Sequence, residues 1–238
     1  MKEGLAQVAQ ALITARCTVL PKRLTSPGPS AAQLQQLFEM AAAAPDHGQL
    51  VPWRFIIVPR EQRHRLAEVF ALALTDRDPH ASLQQIESAR EKAHRAPLLM
   101  VAVARLGSAP SEIPTLERMV SLGAAVQNML LGAQAMGFGA GLTSGKAMAS
   151  VRMSQLLGLG DGEVAVCCVN IGTVAESRVR TRSRPHPKEF VSTLGCSNQP
   201  TAMEHGPNLA GDRSGQACTG SWHCADELPD GMSKVMPA

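Results

Sequence analysis

Three short stretches hold the residues whose types and spacing could do chemistry. Arg16-Cys17-Thr18 closes the first helical pattern of the chain. A guanidinium grips phosphate through two parallel hydrogen bonds, and a threonine hydroxyl adds another, so the triplet can serve as a phosphate clamp. As an isolated triplet it is also what a helix C-terminus favours, a basic residue followed by polar ones. The second stretch runs Ala44-Pro45-Asp46-His47-Gly48-Gln49-Leu50-Val51-Pro52-Trp53-Arg54-Phe55. Ordinary helix-to-strand links are short and built from Gly, Asn, Asp or Ser. This one places an imidazole, an amide and a Pro-Trp pair where a strand begins, and such loops on a rigid scaffold commonly carry function. Read alone, His47 closes the turn after Asp46, and Trp53 is a core residue. The third stretch is Gly137-Phe138-Gly139-Ala140-Gly141-Leu142-Thr143-Ser144-Gly145. Its glycines permit close approach to backbone, and Leu142-Thr143-Ser144-Gly145 adds hydroxyls and exposed main chain. A dinucleotide fingerprint must follow a strand and open a helix, whereas a long helix precedes these glycines.

The elements that must position these residues are legible from periodicity. Helical patterns cover Glu3–Ala15, Ser30–Ala43, Arg60–Leu74, Leu83–His94, Leu116–Met136 and Ala147–Leu157. The Leu116–Met136 pattern is nearly free of charge after Arg118 and predicts a helix buried on most faces, in a core or a subunit interface. Strand patterns cover Phe55–Val58, Pro97–Ala104, Val164–Val174 and Glu189–Leu194. The middle two are apolar without alternation, as expected of strands covered on both faces. Helices wrapping a small sheet make the expected fold class α+β.

Composition narrows the function classes. The 238 residues are 45% hydrophobic and 3% aromatic, with no Tyr and 11 Met, so Leu, Val, Ala and Met must fill the core. A net charge of +3, with Lys and Arg dispersed, argues against nucleic-acid binding and suits an anionic cofactor. The start of the chain has no signal-like apolar core, and no stretch is apolar enough to span a bilayer, so no membrane partner is expected. Cys167 and Cys168 sit side by side in an apolar run and read as small core hydrophobes of a reducing compartment, which points to the cytoplasm. Cys196, Cys218, Cys224, His205 and His223 match no metal-ligand spacing, so no metal is expected. Neither a Ser-His-Asp set, nor a Gly-x-Ser-x-Gly elbow, nor a His-Glu-x-x-His helix is present. The alternating Arg178, Arg180, Arg182 and Arg184 read as a solvated face. Residues 195–238 are rich in Gly, Ser and Pro and too poor in branched aliphatics to offset chain entropy, so the folded domain is expected to span 1–194 with a disordered tail behind it.

The three stretches, in this order, resemble the motifs of the FMN-dependent NAD(P)H nitroreductase family, in its small single-domain branch. The similarity runs from about Leu12 to Leu194, and Gly172-Thr173 also fits. Relatives carry Arg-Arg-Ser or Arg-His-Ser where this chain has either Ala15-Arg16-Cys17 or Arg16-Cys17-Thr18, with Arg16 common to both registers, and Ala43 stands where some small relatives have a basic residue. The resemblance implies an intertwined homodimer with two FMN molecules at the subunit interface. It also implies that Arg16, Cys17 and Thr18 bind the flavin phosphate, that His47 contacts phosphate or ribitol, of its own or of the partner's cofactor, and that Leu142, Thr143 and Ser144 contact ring and ribityl chain. Gly132–Gly137 matches a segment associated with nicotinamide-nucleotide binding, and Glu189–Leu194 would add a strand to the partner's sheet. The implied activity passes hydride from NAD(P)H through FMN to a small-molecule acceptor such as a nitroaromatic or quinone. The flavin carries that chemistry, so no catalytic side chain is nominated. Two alternatives stay open: a flavoenzyme of the same fold dehydrogenating another substrate, and a non-catalytic FMN-binding interaction protein.

Overall fold

A computed structural model describes residues 2–107, 113–175 and 183–194. Six helices and five strands fall in the order α1 (Lys2–Ala15), β1 (Leu24–Thr25), α2 (Ala31–Ala42), β2 (Trp53–Ile57), α3 (Arg63–Arg77), α4 (Leu83–Glu91), β3 (Leu98–Arg105), α5 (Thr115–Ala135), β4 (Gly139–Thr143), α6 (Val151–Leu157) and β5 (Glu163–Val174). The strands form one sheet in which β2, β3, β5 and β1 are neighbours in that order and β4 also pairs with β5, every ladder antiparallel. This is the expected α+β class.

The sheet is covered on both faces, and β3 shows why its sequence does not alternate. Met100 and Ala102 turn to a cluster with Leu37, Leu122 and Met129, supplied by α2 and α5. Leu99, Val101 and Val103 turn to a cluster with Leu66, Val69 and Met153, supplied by α3 and α6. Successive strand side chains point to opposite faces, so a strand with two covers must be apolar throughout. Cys167 and Cys168 divide the same way, one to each cluster. Local signals set the helix starts. Ser30 with Gln33 and Ser82 with Gln85 form reciprocal capping boxes on α2 and α4. Arg63 is buried at the start of α3 and donates to the carbonyls of Val58, Ala93, Ala96 and Pro97 at 2.7–3.2 Å, tying α3 to the end of the α4 segment. Burial, and then Arg60 nearby, lower the Arg63 pKa, opposed by the field at Cys168.

Several expectations need correction. Gly139–Thr143 is strand β4, where a loop was expected; its pairing with β5 decides this, since Gly-Ala-Gly has little strand propensity. Gly132 lies inside α5, packed against Met40 and Leu37 of α2, and so serves helix packing. Contacts divide the chain into two units, the second beginning at Arg184. There Glu189–Leu194 is no strand: Pro187–Glu189 is a 3-10 turn closed by a His186–Glu189 capping box. Pro187 has no N–H for a ladder and fits the first position of a helical turn, which outweighs the apolar pattern after it. The expected tail, 195–238, and Arg178, Arg180 and Arg182 lie outside the described residues. No helix among the described residues is long and apolar enough to cross a membrane.

Candidate active site

The chain leaving α1 runs onto β4. Thr18 forms a parallel bridge with Ala140, and the Val19 N–H donates to the Ala140 carbonyl at 2.9 Å. Gly141 makes this possible, because a Cβ there would collide with the Val19 carbonyl oxygen. The first and third stretches, more than a hundred residues apart in sequence, are thereby laid side by side. Arg16 is half-buried, while Cys17, Thr18, Leu142, Thr143 and Ser144 are exposed.

Beyond this junction the two segments border a cleft of about 860 Å³. Leu20 to Lys22 and Thr143 to Met148 form one side, while Arg77 of α3 and Gln84, Gln85, Ser88 and Lys92 in and just after α4 form the other. Leu99 and Cys168 lie at its floor, and Phe70, Leu74 and Met148 give it an apolar wall. Asn170, 1% exposed, orients the Thr143 end. Its amide donates to the Gly141 carbonyl at 3.3 Å and to the Thr143 hydroxyl at 3.0 Å. With an oxygen lone pair so occupied, the Thr143 O–H remains a donor. The Ser144 hydroxyl donates to the Val166 carbonyl at 3.0 Å and keeps its oxygen as an acceptor. Burial, with Cys167 beside it, pushes the Cys168 thiol up to about 12, although the Thr143 hydroxyl pulls the other way. Burial likewise raises Cys167 to about 11. Neither thiol is a nucleophile at neutral pH.

His47 sits elsewhere in the same chain. Its Nδ1 lies 2.8 Å from a Glu117 carboxylate oxygen in the first turn of α5, and it does not border the cleft. The loop around it is held in a costly conformation. Gly48, Gln49 and Val51 have φ of 72°, 52° and 45°, the last a left-handed β-branched residue. Asp46 stabilises it by accepting the N–H groups of Leu50 at 3.2 Å and Val51 at 2.7 Å. Trp53 is 7% exposed in the core, as expected. Arg54 binds Glu163 through Nε at 2.8 Å and Nη2 at 2.6 Å, anchoring the end of the loop to β5. The Arg54 guanidinium, helped by the Gly160 N–H, pulls the Glu163 carboxyl down to about 2 against desolvation.

The structure therefore brings together Arg16, Cys17 and Thr18 with Leu142, Thr143 and Ser144, and leaves His47 apart from them within one chain. Asn170, Glu117 and the cleft-bordering Lys22, Arg77, Lys92 and Lys146 were not anticipated. Asn170 had a readable signal, a polar residue inside an apolar strand run. The four cations are scattered through the sequence and had none. Among the described residues no group of His, Cys, Asp or Glu could hold a metal ion.

A profile of the nitroreductase family matches residues 13–173. The chain belongs to the nitroreductase family. A Haemophilus influenzae protein, provisionally named NAD(P)H nitroreductase, is 34% identical over 173 residues, covering 73% of this chain and 93% of its own. Two solved nitroreductase-fold structures align with it at the level of the fold. The nitroreductase-like family protein from Bacillus cereus has a TM-score of 0.67 at 20% identity, covering 79% of this chain and 96% of the other. The NADPH:FMN oxidoreductase from Vibrio harveyi, complexed with NAD+, has a TM-score of 0.63 at 17% identity, covering 80% and 78%.

Proposed function

We propose that this nitroreductase is an FMN enzyme that takes hydride from NADH or NADPH and passes it to nitroaromatic or quinone-like acceptors, working as a cytoplasmic homodimer. Family membership makes it an oxidoreductase of the NAD(P)H-dependent nitroreductase type. The observation that carries the flavin reading is the junction of Thr18 and Val19 with β4, which continues into the cleft. One end offers a guanidinium and a hydroxyl beside main chain, as a phosphate requires; the other offers an apolar wall edged with hydroxyls, amides and ammonium groups, as a flat heteroaromatic ring requires. The donor set fits FMN. Bound there, the flavin would accept hydride and return it to the acceptor in two half-reactions.

The protein's part is to bind and orient. Arg16 and Thr18 hold the phosphate, with Cys17 contributing its backbone position. Thr143, fixed by Asn170, and Ser144 hydrogen-bond the ring or ribityl edge, while Leu142 packs beside them. His47 reaches the cofactor of the second subunit. Apolar side chains left in water favour the homodimer: Leu5 and Val8 on α1, Leu116 and Val120 on α5, and Leu50 and Val51 in the strained loop are all exposed. The test is anaerobic. Purified protein is loaded with FMN, freed of excess, and mixed with NADPH and with NADH. Bleaching of the flavin bands with either is expected, followed by recovery on adding a quinone. Protein that retains no FMN, or a flavin that stays oxidised with both nucleotides, overturns the proposal.

A further inference from the structure

We infer that Asn170 is a positioning residue that raises the reduction potential of the bound flavin by holding the Thr143 hydroxyl as an obligate hydrogen-bond donor. This rests on the flavin reading and adds to the same site a residue that acts without touching the cofactor. Asn170 is buried between the fully buried Val169 and Ile171, and it is the only buried amide side chain among the described residues. Burying an amide costs free energy that an aliphatic side chain in the same strand would not. In the β4–β5 ladder Asn170 stands opposite Gly141, and Cys168 stands opposite Thr143. Gly141 has no side chain, so the amide can lean across it to Thr143, its diagonal neighbour on the same face.

The orientation of that amide is forced. Its Nδ2 lies 3.3 Å from the Gly141 carbonyl, 3.4 Å from the Cys168 carbonyl and 3.0 Å from the Thr143 hydroxyl. Two of these partners are carbonyls, which only accept, so the amide oxygen cannot take the place of the nitrogen. Thr143 therefore accepts from Asn170, and its single proton is directed elsewhere. The Cys168 sulfur beside it is a weak acceptor, so an oxygen or nitrogen acceptor in the cleft that Thr143 borders wins the proton. A hydroxyl that already accepts from an amide is also the stronger donor. Hydride from the nicotinamide, one proton with two electrons, forms an N5–H bond and leaves one negative charge on the N1–C2=O edge of the ring, while NAD(P)H becomes NAD(P)+. A fixed donor at that edge stabilises the reduced ring more than the oxidised one, because hydrogen bonds to charged groups are the stronger ones.

The experiment reads a potential, not a rate. FMN-loaded protein is reduced slowly without oxygen, in equilibrium with a reference dye, as wild type, Asn170→Leu, Thr143→Val, Thr143→Ser and the double variant Asn170→Leu with Thr143→Val. Asn170→Leu and Thr143→Val are each expected to shift the equilibrium about tenfold toward the oxidised flavin, about 30 mV for a two-electron couple. Thr143→Ser keeps the hydroxyl and stays within about threefold of the wild type. The double variant matches Thr143→Val alone, since Asn170 acts through Thr143. A purely structural role for Asn170 would weaken FMN binding in both oxidation states and leave the potential in place. Asn170→Leu within about twofold of the wild type, or effects that add in the double variant, overturn the inference. If Asn170→Leu fails to hold flavin, Asn170→Ser decides instead: its hydroxyl can serve a neighbouring carbonyl but is too short for Thr143, so the same shift is expected and an unmoved potential overturns the inference. Wild-type protein that retains no FMN overturns the flavin reading as well, whereas FMN held at potentials the variants do not move overturns this inference alone.

Discussion

Replacing Gly141 by Ala tests the junction on which the site is built. The new methyl group would meet the Val19 carbonyl oxygen in outright overlap, with the Val19 carbonyl carbon at 3.3 Å and Thr18 Cγ2 at 3.4 Å. The obstacle is backbone, which cannot swing aside as a side chain does. Nor can β4 retreat, since Gly139 through Thr143 are registered against Cys168 to Gly172 of β5. The segment after α1 must therefore lift off, breaking the 2.9 Å bond from Val19 to Ala140. Loss of that hydrogen bond costs about 1 kcal/mol and overpacking of a buried site about 1–3 kcal/mol, so a loss of about 2–4 kcal/mol is expected. Urea unfolding of the FMN-free protein measures it, and gel filtration after loading measures flavin retention, which should fall if residues 16–18, the proposed phosphate clamp, leave β4. Gly145→Ala is the control. A methyl there meets nothing within 4 Å and the backbone is extended at φ 173°. Its stability should stay within about 0.5 kcal/mol of the wild type. A Gly141→Ala protein with unchanged stability and full flavin retention would refute the seating of residues 18 and 19 on β4.

Two further outcomes follow from charge and from exposed apolar surface. Glu163 is held near 2, below its ordinary value of 4.5, so its stabilising contribution is complete above 4.5 and is lost as pH falls from 4.5 toward 2. Discounted for the solvent that reaches the pair, that contribution is about 2 kcal/mol; Glu163→Gln should be less stable by this amount in urea at pH 7, and the gap should narrow as pH drops below 4.5. A gap independent of pH would mean that the charge on Glu163 is not what holds Arg54. On α5, Leu116 and Val120 are 78% and 72% exposed. Leu116→Glu with Val120→Glu should convert the proposed dimer to monomer in light scattering, with the helical circular dichroism signal retained; a protein that remains dimeric would place the subunit contact elsewhere.

How much of this was legible in sequence depends on whether the deciding force is local. α2 and α4 announce themselves through Ser30 and Ser82, whose capping boxes are four-residue patterns. β3 and β5 are readable because burial on both faces demands unbroken apolar runs, and β5 spans Glu163–Val174 close to the expected range. β4 was not readable. Gly139-Ala140-Gly141 becomes a strand because β5 offers a partner edge and Val19 needs a neighbour without a side chain. β1 has two residues, paired with Thr173 and Val174, too few for any periodicity. At Glu189–Leu194 the reverse holds: the apolar pattern predicts a strand, and Pro187 with the His186–Glu189 cap outweighs it.

The site divides along the same line. Arg16-Cys17-Thr18 and the glycine stretch could be singled out as candidates because each is a contiguous string, whereas the cleft beside β4 is made of residues whose neighbours in sequence say nothing of each other. Lys22 lies within a 3-10 turn, Arg77 ends α3, Lys92 follows α4 and Lys146 opens a turn after β4. A basic residue at the end of a helix is what the helix dipole favours anyway, so Lys22, Arg77 and Lys92 have a sufficient local explanation, whereas Lys146 stands at the start of its turn, where the dipole supplies none. What no local signal carries is the grouping of all four along one cleft, which is a product of the tertiary fold, and in the proposed reaction the nicotinamide nucleotide is the ligand whose negative charge would meet it.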